Sequence, residues 1–280
     1  MTGFYSPDTK AGRLRKWALG AIVRHRAEGT IPTSLRHLYY EAVMDAACPD
    51  VGKAKKAAGG RRSDQDLTDA VTDLRENGAV GWDEIEDRTR HLIPNQGFAT
   101  YVNGVASWLD EIHVDPYRGA PLPVLIVESE SVAGVLERVA DEYCVPIVPT
   151  RGQTAGFLRT TVADYLDGRK VVVGYIGDWD KAGGDIETNS AAVIADVALL
   201  VSWERLALTE DQVDDLGLPT EMRLDKRTGR STVACEVEAY PQVRLEADVR
   251  AFLDDLLPEP LADVRAREDA ERDRVRALLV

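Results

Sequence analysis

Three cysteines in 280 residues, Cys48, Cys144 and Cys235, leave little room for sulfur chemistry. They are far apart and odd in number, so neither a disulfide framework nor a zinc cage is expected, and a reducing, cytoplasmic setting is the default. Long apolar runs are also missing. The longest, such as AAVIADVALLV at Ala191–Val201, falls short of the roughly 20 residues a membrane-spanning helix needs. The opening residues, MTGFYSPDTKAGRLRKWALG, hold no apolar stretch ahead of a small-residue cleavage site, so no signal peptide is expected. No internal repeat is found. Positive charge is in deficit too: 34 Lys and Arg stand against 48 Asp and Glu, a net charge of −14. That balance argues at first against a partner bound by phosphate neutralisation.

Its distribution changes the argument. Residues 1–62 hold twelve Lys and Arg, among them Lys53, Lys55, Lys56, Arg61 and Arg62, against five acids, a surplus of seven. The remainder therefore carries −21. A basic head on an acidic body suits a nucleic acid at the head, and equally suits a solvated basic helix face. With 44% hydrophobic and 29% charged residues, the chain has material for packed cores in about two domains of ~100–200 residues each.

The first half reads as helices over Ala11–Ala27, Ser34 to about Ala47 (Ser34 as N-cap), and Asp64–Glu76, followed by a hairpin or wing in AVGWDEIEDRTRHLI. One more helix, Phe98–Ile112, precedes a linker. Helices, wing and basic face in that order fit a winged-helix module able to dock on duplex DNA. The texture then changes. PVLIVE, VPIVPT and KVVVGYIGD are apolar runs suited to buried parallel strands, with helices between them over Ser131–Glu142, Thr154–Leu166 and Gly183–Leu200. This alternation predicts an α/β fold with a parallel, Rossmann-like sheet. The expected division is a helical arm plus winged helix over residues 1–112 and an α/β domain with C-terminal helices over 113–280.

Sites in open α/β sheets collect at the carboxyl ends of strands. Two of these strands end in acid: the first at Glu128, the third at Asp178 with Asp180. Residues i and i+2 of an extended segment point to the same side, so the two aspartates converge, with Glu128 beside them. One acid at a strand end is most often just solvated. Three crowded together repel one another, and a hard divalent cation relieves that repulsion; all-oxygen ligands suit magnesium, or manganese.

VLIVESESVAGVLERVA and YIGDWDKAGGDI resemble, in order, the two motifs of the Toprim fold, the metal-binding domain of topoisomerases, bacterial primases and certain nucleases. Together with LRHLYYEAV, WDEIEDRTR, WERLALTEDQVDDLGLP and CEVEAYP, they make most of the chain, roughly Pro32 to Leu257, resemble the type IIB topoisomerase A family. That family comprises the topoisomerase VI A subunit, the meiotic double-strand-break protein and the stand-alone Mini-A type of bacteria and phages.

The resemblance implies a winged helix followed by a Toprim domain, and a magnesium-dependent DNA cleavage and rejoining protein acting as a homodimer on double-stranded DNA, in a nucleoid-associated setting. Tyr40 would be the nucleophile that becomes linked to a 5′ phosphate, Arg36 a phosphate-positioning residue, and Glu128, Asp178 and Asp180 the metal site. Any strand passage would draw on a separate ATPase subunit.

Helical phase distinguishes the two adjacent tyrosines. Leu35, Leu38, Tyr39, Ala42 and Ala46 form a core stripe, and Tyr40 lies about 100° from Tyr39, off that stripe. It sits one turn after Arg36, which is placed to hold a phosphate and lower the phenol's pKa. Two departures from the family stand out: Ser129 where many relatives carry lysine, and Lys181-Ala182 where proline and a small residue are common. They keep two rival readings in play, a metal-dependent nuclease that does not use the tyrosine and a non-catalytic DNA-bridging protein. Asp185 is a candidate further metal ligand, and Arg151 a candidate phosphate contact. Glu236 and Glu238 read as structural, and His91 and His113 as surface residues.

Overall fold

The computed structural model describes residues 4–52, 63–86, 98–109, 111–150, 155–224, 229 and 231–278. Helix α1, Lys10–Glu28, starts on the Thr9 side chain and stops at Gly29, whose φ of 70° is left-handed and suits glycine. Its buried stripe, Leu14, Ala18, Ala21 and Ile22, recurs at helical spacing. After β1, Thr33–Ser34, helix α2 spans Leu35–Met44, and Ser34 accepts the His37 N–H as the expected N-cap. The helix stops short of Ala47. The Asp45 carboxylate accepts the Ala47 N–H at 2.8 Å and the Trp17 indole N–H at 2.7 Å, and Asp45 itself is extended. Helix α3, Ser63–Glu76, lays Leu67, Ala70, Val71 and Leu74 into the same core as Leu14, Ile22 and Leu38.

Strand β2, Ile85–Glu86, pairs in parallel with β1. The rest of the expected wing, residues 87–93, lies outside the described residues, as do the basic connection 53–62, His91 and Arg151. The basic face of α1 is answered from within. Lys10 pairs with Asp66, Arg13 with Asp50, Arg15 with Asp73, Arg24 with Glu41 and Arg26 with Glu84. Helix α4, Tyr101–Trp108, is shorter than expected and leaves Tyr101 and Trp108 exposed.

The second half is an α/β unit. Strands β3 (Leu122–Val127), β4 (Ile147–Pro149), β5 (Lys170–Ile176) and β6 (Leu199–Ala207) form one parallel sheet in the order β4-β3-β5-β6. Helix α5, Glu130–Glu142, leads from β3 to β4. A continuous helical stretch leads from β4 to β5: α6 (Ala155–Phe157), a π-helical segment (Leu158–Val162) and α7 (Ala163–Leu166). Helix α8, Lys181–Val197, leads to β6. Alternate residues of β3 face opposite cores. Leu125 and Val127 pack with Val135, Leu136 and Val139 of α5, whereas Val124 and Ile126 pack with Leu158, Leu166 and Ile194.

The helix expected to run to Leu200 ends at Val197, and the apolar run continues as β6, an edge strand absent from the sequence reading. Nothing in VALLV breaks the pattern, so the change from helix to strand is set by pairing with β5. Beyond it come α9 (Glu210–Leu216), the antiparallel pair β7 (Glu221–Leu224) and β8 (Ser231–Ala234), α10 (Gln242–Leu256) and α11 (Leu261–Leu278). The α10 side chain of Gln242 donates to the carbonyls of Thr30 and Pro32, and Arg138 of α5 donates to that of Gly29. These bonds seat the turn between α1 and β1 on the sheet unit. Among the described residues no helix is long and apolar enough to cross a membrane.

Candidate active site

The acids that ended the apolar runs do meet. Glu128 follows β3, and its N–H donates to the carbonyl of Ile176, the last residue of β5, at 2.8 Å. One strand-end away, the Asp178 N–H donates to Glu128 Oε2 at 3.1 Å. Asp180 is the N-cap of α8, with Oδ1 accepting the Gly183 N–H at 2.6 Å. A Cβ at position 183 would stand 2.4 Å from the Asp178 carbonyl oxygen and 3.3 Å from Glu128 Oε2, so only glycine lets the chain pass.

A second segment is laid against this one. Trp179 and Cys235 exchange backbone hydrogen bonds of 2.9 and 3.0 Å, and the Val237 N–H donates to Asp178 Oδ1 at 2.9 Å. Each aspartate thus has one oxygen tied to the backbone. The other two oxygens, Asp178 Oδ2 and Asp180 Oδ2, face the same atom, Nη1 of Arg223 on β7, at 3.5 and 2.7 Å. Arg223 also reaches Glu236 at 2.6 Å and Glu221 at 2.8 Å.

Glu236 links this cluster to α2. Its Oε2 accepts the Tyr40 phenol O–H at 2.6 Å and an N–H of Arg36, and Arg36 Nε stands 3.0 Å from Glu238. Glu238 in turn accepts the hydroxyls of Ser129 and Ser131 at 2.6 and 2.8 Å. Ser129 therefore anchors a carboxylate.

Tyr40 does lie off the stripe of Leu38 and Ala42, but it is not thereby left open to solvent. Its exposure is only 6%, whereas Tyr39 is half-buried with its hydroxyl donating to the Gly52 carbonyl. Helix α2 is covered on two sides: Leu38 and Ala42 face the helical core, and Tyr40 faces the core beside the sheet. A single-stripe argument sees only one of them. The phenol's pKa also moves opposite to expectation. Burial, then the Glu236 hydrogen bond and charge, push it well above the ordinary tyrosine range, and the opposing pull of Arg36 is smaller. Glu236 is held below the usual carboxylate range, because Tyr40, Arg36 and Arg223 outweigh its burial.

Across the network the acids behave differently. Burial, then the charge of Asp178, push Glu128 up to about 7. Burial, then the charges of Glu238 and Glu236, push Asp178 up to about 6 against the Val237 N–H. The donor set is all carboxylate, and two aspartate oxygens face a single point, which fits a hard cation in chemistry. That point is held by a guanidinium nitrogen. Among the described residues no group of three or more His, Cys, Asp or Glu side chains stands gathered to hold a metal ion.

Sequence reasoning assembled Tyr40, Arg36, Glu128, Asp178 and Asp180, and these join in one network. It read Glu236 and Glu238 as structural and did not single out Arg223. The motif CEVEAYP could have pointed to the first two; EMRL carries no signal for the third. Asp185 lines a cleft of about 320 Å³ together with Asp180, Lys181, Arg223 and Thr232. His113, half-buried rather than a plain surface residue, lies 3.1 Å from Glu268. Comparison of the chain with protein-family models, with curated proteins and with solved structures finds no match to any of them.

Proposed function

We propose that the chain is a DNA cleavage and rejoining protein of the type IIB topoisomerase A kind. In this reading the helical part is a winged helix, the sheet unit is a Toprim domain, and the working form is a homodimer on double-stranded DNA. The observation that carries it is the continuity from nucleophile to acids. The Tyr40 hydroxyl is bonded to Glu236, and Glu236 shares Arg223 with Asp178 and Asp180.

The reaction is a transesterification. Tyr40 Oη forms a bond to the 5′ phosphorus as the bond from phosphorus to the 3′ oxygen breaks, and the phenol's proton leaves as the 3′ hydroxyl gains one. Rejoining reverses these bonds. Tyr40 must first come out of its buried seat to meet a phosphate, and Glu236, 2.6 Å from its hydroxyl, is within reach to take the proton. Arg36 stays half-exposed while tied to Glu236 and Glu238, so it can turn to a phosphate on the solvent side. Glu128, Asp178 and Asp180 would hold magnesium, which would supply charge stabilisation at the phosphoryl oxygens.

The test uses supercoiled plasmid, magnesium and a denaturing quench. Wild type should leave protein on 5′ ends, and Tyr40→Phe should leave none. Identical products from the two would end the tyrosine mechanism. A second reading, hydrolysis by a metal-dependent nuclease, is favoured by the same resting geometry. The phenol is locked, while Glu128, with its pKa pushed up to about 7, is suited to accept a proton from water. It expects cleavage that survives Tyr40→Phe, fails with Asp178→Asn and leaves bare DNA ends.

A further inference from the structure

Arg223 stands where the two free aspartate oxygens converge. One nitrogen, Nη1, faces Asp178 Oδ2 and Asp180 Oδ2, and the other end of the guanidinium faces Glu221 and Glu236. Such a position is that of a bound cation: carboxylate oxygens on several sides, at hydrogen-bond distance, with the remaining aspartate oxygens already used by backbone N–H groups. A monovalent guanidinium can satisfy these oxygens without a metal.

We propose that Arg223 is a built-in competitor for the divalent cation at Asp178 and Asp180, so that metal enters only as the arginine withdraws. The proposal rests on the metal-site reading given above. Three observations support displacement rather than exclusion. Arg223 retains 33% side-chain exposure, so leaving the aspartates does not require opening a core. The cleft of about 320 Å³ bordered by Asp180, Asp185, Arg223 and Thr232 gives both the arginine and an entering ion a route. Glu221, beside Arg223 on the same strand, keeps a partner for the guanidinium when the aspartates are given up.

Occupation by metal and by arginine is mutually exclusive at one pair of oxygens, so each weakens the other by the same factor. Release of Arg223 also takes one of two guanidiniums from Glu236, the carboxylate that holds Tyr40. Metal entry and the restraint on the tyrosine therefore communicate through one side chain.

The test measures manganese binding to the full chain by loss of the free-ion electron paramagnetic resonance signal, with no DNA and no turnover. Arg223→Gln should bind Mn²⁺ about tenfold tighter than wild type, the equivalent of one charged hydrogen bond discounted for exposure. Adding Asp180→Asn to Arg223→Gln should remove the gain. Equal affinities for wild type and Arg223→Gln, both weakened by Asp180→Asn, would overturn the competition while leaving the metal site standing. No saturable binding by either protein would overturn both. If Arg223→Gln does not fold, hydrogen exchange of wild type decides: saturating Mn²⁺ should speed exchange at the Glu221–Leu224 amides, and unchanged exchange would overturn the proposal.

Discussion

The two sides of Glu236 handle their charge in opposite ways. On the α2 side Tyr40 is pushed towards its neutral form, and Arg36 is clasped by Glu236 and Glu238. His37, wholly buried, is pulled down to about 4 by desolvation. On the strand-end side charge is left in excess, and Glu128 and Asp178 rise to about 7 and about 6. A side that favours the neutral phenol faces a side crowded with acid. Two paths join the sides: Tyr40 and Arg36 through Glu236 to Arg223, and Arg36 through Glu238 to Ser129 beside Glu128.

The contrast makes opposite pH predictions, which form the largest expected effect. An unfolded imidazole near 6.5 takes up protons that folded His37 refuses, so the stability tied to His37 is full above about 6.5 and is lost as pH falls towards 4. Glu128 runs the other way. Its folded pKa is raised from the ordinary 4.5, so its contribution is full below that value and is lost as pH rises through about 7. Each window spans on the order of 3 kcal/mol. In metal-free buffer, thermal unfolding of Glu128→Gln should show a steeper loss between pH 7.5 and 5 than wild type. His37→Gln should show a shallower loss or a gain. Parallel curves for all three would dissolve the contrast.

A sharper cut goes through the link itself. Glu236→Gln should cost about 1–2 kcal/mol in urea unfolding, because Arg36 and Arg223 are left facing an amide. It should also lower the Tyr40 pKa, read as the alkaline difference spectrum against the same chain with Tyr40→Phe added. An unmoved tyrosine would mean that burial alone holds the phenol.

The smallest effect is expected where charges are already matched at the surface. Lys10 and Asp66 form an exposed pair, so Lys10→Ala should change stability by less than about 0.5 kcal/mol. Duplex DNA affinity, followed across a salt series, should keep its slope. A slope reduced by about one unit would make Lys10 a phosphate contact.

How much of this was legible in the sequence follows from the range of each signal. Ser34 as N-cap, the apolar strands around Glu128 and Asp178, and the i, i+2 spacing of the aspartates are local patterns, and the structure follows them. Tyr40's burial was not legible, because it comes from a second core contributed by residues far along the chain. The same holds for β6, which looks like more helix until it pairs with β5. Arg223 lies on a four-residue strand without a motif, and its role exists only in the side chains that surround it. Long-range electrostatics was therefore the least readable layer, although its acidic half was partly visible in CEVEAYP.

The hydrogen bond from Tyr40 to Glu236 crosses 196 positions of sequence. At about 5–20 residues per second of synthesis, the tyrosine emerges from the ribosome roughly 10–40 s before its acceptor. Throughout that interval α2 lacks the partner that later accepts its phenol's hydrogen bond. The chain's last third thus completes the seat of Tyr40, and a protein truncated before Glu236 would carry the tyrosine without that hydrogen bond.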